Sequence, residues 1–387
     1  MTAPLPRPLS GLKVLDIAEL FPAPLLAAML GDLGADVVKV EPPAGDGLRR
    51  VGIGADGVAR SWALAARNKR SIVLDPASDD DLATLAALTA VADVVVCNQT
   101  HDQLVRRDCT PEAIHARNPR AVVVSLTAFG TTGPLADMPG NGSIAEAFAG
   151  VAHLTGSADG PPTLPSYALG DTLGAISALN GVLAALYWRD ANGGVGQHVD
   201  ATLYEPLMSL LAASFATWAP GAASPQRHGS RIPGGTPRNV YRCNDGLWVV
   251  VSGPTDPQVA RMLRLIGHDT DAERERFGRA ADRVGEVADD LDALVASWIA
   301  ERSRTTVLEA LAAARIPAAP VHSLDDLTDH PHVIARSDLG AIDADGAVVT
   351  PTPTPQLSHS PARWSRPSPE LGADSAAVLH DWLHPHD

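Results

Sequence analysis

Lysine is nearly absent from this chain. Lys13, Lys39 and Lys69 are the only ones, and 30 basic residues stand against 45 acidic ones for a formal charge of −15. A nucleic-acid scaffold carries the opposite balance, so no nucleic-acid partner is expected. Aromatic residues, at 4%, are too sparse for base-stacking platforms. Cys97, Cys109 and Cys243 are odd in number and lack metal-site spacing, which points to a reducing compartment, the cytoplasm. Histidines are scattered and the HExxH and CxxC patterns are missing, so no metal is expected. His330 and His332 flank Pro331 behind an acidic loop and read as solvated. No charged-then-apolar leader stands at 1–8, where three prolines accompany one arginine, so export is not expected. The longest apolar stretch, 172–188, is short for a membrane span and rich in Gly, Ser and Ala, with Asn180 inside it. It reads as a buried core helix.

What is present is an alternation of short β-branched runs with helical patterns, the mark of parallel βαβ units and an open, doubly wound α/β sheet. Strands are expected at 13–17, 36–41, 71–75, 93–98 and 121–126, with helices at 24–33, 79–91 and 111–117 between them. The turn after the first strand, Glu19-Leu-Phe-Pro-Ala-Pro24, contains no glycine, which disfavours a nicotinamide dinucleotide site. A Pro/Gly/Ser-rich passage at 219–237 reads as a linker. Beyond it 239–252 reads as a hairpin around Asn244-Asp-Gly246, followed by helical patterns at 256–266, 288–302 and 305–315 that suggest a smaller α+β domain. A second Pro-rich stretch, 350–369, leads to an amphipathic helix at 375–383 that would dock back on the first domain.

Asp171 carries the most chemical information. It lies in Tyr167-Ala-Leu-Gly-Asp171-Thr-Leu-Gly-Ala, where the long helix begins. Its carboxylate could cap the helix by accepting first-turn N–H groups. It could also be a nucleophile at the mouth of the sheet, with glycines on both sides leaving room for an acyl group. Asn68-Lys69-Arg70 opens the third strand and could hold phosphates or be a solvated edge, and Arg49, Arg106 and Arg107 are further phosphate candidates. Gly234-Gly235 could expose N–H groups to an oxyanion or serve as a flexible joint.

Leu9-Ser-Gly-Leu-Lys-Val-Leu-Asp16, Leu30-Gly-Asp-Leu-Gly-Ala-Asp-Val-Val-Lys-Val-Glu41, Gly45-Asp-Gly-Leu-Arg49, Asn68-Lys-Arg-Ser-Ile-Val-Leu-Asp75, Ala92-Asp-Val-Val-Val96, Ala128-Phe-Gly-Thr-Thr-Gly-Pro134, Gly170-Asp171 and Gly196-Gln-His-Val-Asp200 follow one another along the chain. Together they resemble the class III CoA-transferases, a family that includes formyl-CoA transferase, carnitine CoA-transferases and the α-methylacyl-CoA racemases. The resemblance implies a large Rossmann-like domain and a small domain joined by long linkers in an interlocked homodimer. The expected division is 1–218 for the first part of the large domain, 219–237 linker, 238–320 small domain, and 321–387 return linker and C-terminal segment. It further implies coenzyme A as part of the substrate, with no metal, nicotinamide or flavin, and an acyl-CoA donor and a carboxylic acid acceptor as partners. Asp171 becomes the nucleophile, passing through an aspartyl–acyl anhydride and an aspartyl–CoA thioester. Phe21, Pro22, Lys69, Arg70, Asn98 and Arg106 are the expected coenzyme A contacts, and Gly234 and Gly235 match the family's glycine loop only loosely, as oxyanion donors.

The departures are local. Cys97-Asn98-Gln99-Thr100-His101-Asp102 stands where the family continues with Glu-Asn-Phe and a Pro-Gly pair, and Pro22-Ala23-Pro24 replaces Ala-Gly-Pro. Gln99, after a strand's carboxyl end, is expected to present its amide to the ligand crevice. These changes leave a catalytically altered acyl-CoA binder as one alternative. Racemization is another, and it is disfavoured because Gly140-Asn141-Gly142 and Tyr241-Arg242 stand where racemases carry their His and Glu. Neither asparagine nor arginine can take a proton from an α-carbon.

Overall fold

The computed structural model describes residues 6–384 except Pro220 and Ala344. It divides into two compact units, one formed by the described residues of Met1–Val151, Leu164–Thr217 and Ile334–Asp387, the other by Ala152–Thr163 and those of Trp218–Val333. Residues 219–237, expected as a linker, fall inside the second unit in this division.

In chain order the first part of the molecule runs β1 (Lys13–Asp16), α1 (Ala23–Asp32), β2 (Asp36–Glu41), α2 (Arg60–Ala66), β3 (Lys69–Val73), α3 (Asp79–Val91), β4 (Val94–Cys97), α4 (His101–Arg106), α5 (Pro111–Arg117), β5 (Val122–Thr127), α6 (Gly142–Phe148), α7 (Val151–Leu154), α8 (Leu169–Ala191), β6 (His198–Thr202) and α9 (Tyr204–Leu210). The six strands pair in parallel in the order β3-β2-β1-β4-β5-β6. Runs such as Val94–Cys97 and Val122–Thr127 read almost without polar interruption because both faces of a parallel sheet are covered. On one face Leu26 and Leu30 of α1 and Ala178 and Val182 of α8 enclose Val14, Val96 and Val124. On the other, Leu85 and Leu88 of α3 and Trp382 of the C-terminal helix Ser375–Leu383 close over Leu15, Val38 and Val95. Trp382 donates its indole N–H to Asp36 at 2.8 Å.

Three differences from the sequence reading have consequences. β3 begins at Lys69, not at residue 71, so alternation along the strand turns Lys69 inward and makes it fully buried. His198–Thr202 adds a sixth strand that β-propensity alone did not reveal, since His, Asp and Thr dilute its apolar pattern. The long helix runs Leu169–Ala191, apolar and long enough by composition to cross a membrane, but it buries only one stripe, Gly170, Gly174, Ala175, Ala178, Val182, Ala185, Leu186 and Arg189. Glycine and alanine make up most of that stripe because β5, β6 and α1 approach it closely.

The second unit has its own core. A three-stranded antiparallel sheet of β7 (Arg238–Arg242), β8 (Trp248–Ser252) and β9 (Ala318–Pro320) packs beneath helices Asp256–Ile266, Gly285–Ala300 and Arg304–Ala313. Gly246, at φ +79°, supplies the left-handed residue that the β7–β8 turn requires.

Candidate active site

The strand order reverses between β1 and β4, and in an open α/β sheet the ligand crevice lies outside the carboxyl ends of the strands at that point. A cavity of about 550 Å³ occurs there, lined by Phe21 and Pro22 after β1, Asn98, Gln99, His101 and Leu104 after β4, Ser125–Thr127 at the end of β5, and Ala128, Gly130, Thr131 and Thr132 after it. Its wall continues through Met138, Pro139, Gly140 and Asn141.

The next residue, Gly142, meets Asp171. Its N–H donates to Asp171 Oδ1 at 3.0 Å, joining the first residue of α6 to the first turn of α8. Asp171 is therefore not a helix cap: Ala168 holds the cap position without a side-chain bond, and the carboxylate reaches across to another helix. Glycine is required on both sides of the crossing. A Cβ on Gly142 would sit 2.7 Å from Asp171 Oδ2, and one on Gly170 would sit 2.7 Å from the Gly142 carbonyl oxygen. Burial raises the pKa of Asp171, the Gly142 N–H opposes that rise, and the nearby Glu146 carboxylate adds to it. Glu146, buried in α6, accepts the Gly170 N–H at 2.9 Å.

Asn141 caps α6 by accepting the Ile144 N–H at 3.2 Å. At the position where a racemase base would stand, this chain places a helix cap.

The structure brings Phe21, Pro22 and Asn98 together at the cavity and leaves other expected contacts elsewhere. Asn98 is spent on the backbone of Glu19, accepting its N–H at 3.0 Å and donating to its carbonyl at 2.7 Å. Gln99 borders the cavity, but its amide points into the protein, donating to the Ile17 carbonyl at 2.6 Å and accepting the Asn98 N–H at 3.2 Å. The two amides prolong the β1–β4 pairing by side chain, so Gln99 does not offer its amide to a ligand. Lys69 pairs with Asp16 at 2.7 Å and donates to the Pro24 carbonyl at 2.7 Å, and burial lowers its pKa to about 8. With no face toward solvent it cannot hold a phosphate. Arg70 is committed to Asp36 and to Asp381 of the C-terminal helix. Arg49 pairs with Glu41 at 2.7 Å and stacks on Trp62, and Arg107 pairs with Glu19 at 3.3 Å. Arg106 is exposed at the end of α4, two residues beyond the cavity residue Leu104 but not itself part of the cavity lining, and has no ion-pair partner among the described residues. In the second unit, Gly235 gives its N–H to Ile232 at 2.9 Å in a turn where Gly234 adopts φ +72°, so Gly235 is not a free oxyanion donor.

Sequence reasoning missed Glu146, His198 and Ser125. The last two lie side by side on the cavity wall, His198 Nε2 at 3.0 Å from Ser125 Oγ, where burial lowers the imidazole pKa. The signal for Glu146 was a lone carboxylate inside the apolar run Ile144–Val151. No group of three or more potential metal ligands occurs among the described residues.

Comparison with known proteins agrees with this geometry. Residues 9–375 match CoA-transferase family III. The chain is 34% identical over 383 residues to the succinyl-CoA–L-malate CoA-transferase beta subunit of Chloroflexus aurantiacus, covering 97% of this chain and 94% of that one. It is 32% identical to the succinate–glutarate CoA-transferase of Agrobacterium fabrum, covering 96% and 95%. Among solved structures, a CAIB/BAIF family protein from Brucella suis superposes with a TM-score of 0.84 at 30% identity, covering 98% of this chain and 100% of that one. A hypothetical protein from Mycobacterium tuberculosis, 24% identical, shares the fold with a TM-score of 0.83 over 96% and 99%. The chain belongs to CoA-transferase family III and is an enzyme that moves coenzyme A from an acyl-CoA thioester to a free carboxylic acid.

Proposed function

We propose that the transfer runs through Asp171, with coenzyme A seated in the cavity at the carboxyl end of the sheet. One observation supports this above all: a half-buried carboxylate with no ion-pair partner among the described residues is held by a single backbone N–H, that of Gly142, the residue that follows cavity residues Gly140 and Asn141 in the chain. A carboxylate needs no general base to attack a thioester. One Asp171 oxygen adds to the acyl carbonyl and the CoA thiolate leaves, giving an aspartyl–acyl anhydride. The thiolate then attacks the Asp171 carbonyl carbon and expels the donor acid, giving an aspartyl–CoA thioester. The acceptor carboxylate repeats the sequence in reverse, ending as acyl-CoA with Asp171 regenerated. No net proton or electron is exchanged. Each intermediate hydrolyses readily, so the site has to exclude water.

Phe21, Pro22 and Asn98 line that cavity and would border the ligand, and Arg106, exposed and unpaired among the described residues, two positions beyond the lining residue Leu104, is the cation we assign to a phosphate. Relatives named for malate, glutarate and mesaconate, each with succinate or succinyl-CoA, suggest short dicarboxylates as the substrate class. Ile144 and Phe148 of α6, Tyr187 of α8, and Met208 and Leu210 of α9 expose apolar side chains on one unit. A second copy in a cytoplasmic, interlocked homodimer would cover them.

The test is to incubate the protein with succinyl-CoA, quench, and map peptides by mass spectrometry. The peptide containing Asp171 should carry an acyl or CoA adduct, or a hydroxamate when hydroxylamine is present. Turnover with no adduct on that peptide would rule out the covalent route, and exchange of a substrate α-proton with deuterated water would favour an isomerase.

A further inference from the structure

We propose that Glu146 is a positioning residue for the transfer reaction, fixing Asp171 by holding the amide that immediately precedes it; this rests on Asp171 being the nucleophile. Glu146 is 2% exposed in the otherwise apolar stretch Ile144-Ala-Glu-Ala-Phe148, and no ion-pair partner accompanies it among the described residues. A buried carboxylate without a cation is costly, and such groups persist where their hydrogen bond does something specific.

The bond in question is half of a reciprocal clasp. Glu146 of α6 accepts the N–H of Gly170 in α8 at 2.9 Å, while Asp171 of α8 accepts the N–H of Gly142 in α6 at 3.0 Å. Each helix thus offers an amide to a carboxylate on the other. With no room for a Cβ on either glycine, the two backbones touch, and a slip of one helix against the other would carry Asp171 with it. Other ionisable groups on the elements packed around this crossing are engaged elsewhere. Glu205 of α9 holds Thr202 at 3.0 Å, Asp200 of β6 holds Thr131 at 2.6 Å, Asp32 of α1 pairs with Arg67 at 2.6 Å, and His198 contacts Ser125 at 3.0 Å. Tyr204 of α9 packs its ring edge-on to Phe148, 5.1 Å between centroids. Glu146 is the group whose charge adds to the raised pKa of Asp171.

The experiment compares Glu146→Ala and Glu146→Gln with the unmodified full chain, using succinyl-CoA and glutarate as the assay pair and a carbon-13 carboxyl NMR titration of Asp171 as a readout that needs no substrate. Glu146→Ala should lower kcat by roughly 10–100-fold, the scale of a misplaced reacting group, with KM for succinyl-CoA changed less than about twofold. Glu146→Gln keeps an acceptor oxygen and should restore most of kcat. It removes the charge, so the acid limb of kcat/KM and the NMR titration of Asp171 should both move to lower pH. Wild-type kcat in Glu146→Ala beside a dead Asp171→Asn would overturn the positioning role and leave the nucleophile standing. A glutamine variant as slow as the alanine one, with unchanged thermal stability, would also overturn it. Turnover surviving in Asp171→Asn would bring down both readings. If the alanine variant does not fold, an unshifted Asp171 titration in Glu146→Gln refutes the proposal.

Discussion

Asp16 and Asp171 are the same side chain in two opposite situations. Asp16, at the end of β1, is fully buried with Lys69 at 2.7 Å and Lys39 at 3.8 Å, and it accepts the Ala18 N–H at 3.1 Å. Lys39 reaches on to Asp46 at 2.9 Å, so the cluster balances its charges inside the protein. Asp171 has one backbone N–H and, as its nearest charged neighbour, another carboxylate. Buried groups with complete partners hold a turn in place. A half-buried group with incomplete partners keeps a lone pair for something else, and the fold tolerates the cost.

One substitution at both positions should therefore give opposite results. Asp171→Asn should abolish transfer, the largest effect anticipated, because an amide cannot replace the attacking carboxylate. The same change should raise thermal stability at pH 7. Burial raises the folded-state pKa of Asp171 above its unfolded value, so stability falls as pH climbs through that interval. The asparagine variant lacks this loss, and its advantage should vanish below about pH 4, where the carboxyl is protonated in both states. Differential scanning calorimetry across pH checks it; a lower Tm for Asp171→Asn at pH 7 would break the contrast.

Asp16→Asn should destabilise by about 3–5 kcal/mol, the usual result of leaving a buried charge uncompensated, here Lys69 with the Pro24 carbonyl as its remaining acceptor. Urea unfolding measures it. A loss under about 1 kcal/mol would mean that Lys69 sheds its proton when its partner goes, as its lowered pKa already favours.

The contrast also separates what the sequence made legible from what it did not. Strand β2 and helices α3 and α5 lie at the residues the hydrophobic pattern indicated, and Asp171 could be singled out because glycines frame it at a helix start. Lys69 and Arg70 could not be told from phosphate ligands, because their partners Asp16, Asp36 and Asp381 come from distant segments. Gln99 failed for a related reason. Its position after β4 is readable, but the open Ile17 carbonyl that captures its amide is a feature of the neighbouring strand's end. Glu146 acquires meaning only when α6 crosses α8.

Gly142→Ala sharpens the contrast with a smaller perturbation. The added methyl would lie 2.7 Å from Asp171 Oδ2 and 2.9 Å from the Asp171 nitrogen, so the helices have to part. Overpacking of this kind costs about 1–3 kcal/mol. The loss should appear both in Tm and as a lower kcat, since the carboxylate is displaced from the amide that aims it. Loss of stability with unchanged kcat would show that Asp171 tolerates a moved clasp.

The smallest effect belongs to the arginine pair at the end of α4. Arg106 and Arg107 are adjacent on the chain, yet Arg107 pairs with Glu19 at 3.3 Å while Arg106 is exposed and has no ion-pair partner among the described residues. If Arg106 meets a coenzyme A phosphate, that contact is made equally in the ground and transition states, so Arg106→Gln should raise KM for acyl-CoA and leave kcat alone. An exposed charge pair is worth at most about 1 kcal/mol, which corresponds to a rise of roughly fivefold or less. The rise should shrink as salt is added, because exposed charges are screened. Arg107→Gln should change KM less, since that guanidinium is already occupied by a carboxylate. Equal effects of the two substitutions at low salt would mean that the phosphate is held elsewhere and that the unpaired Arg106 is only a surface charge.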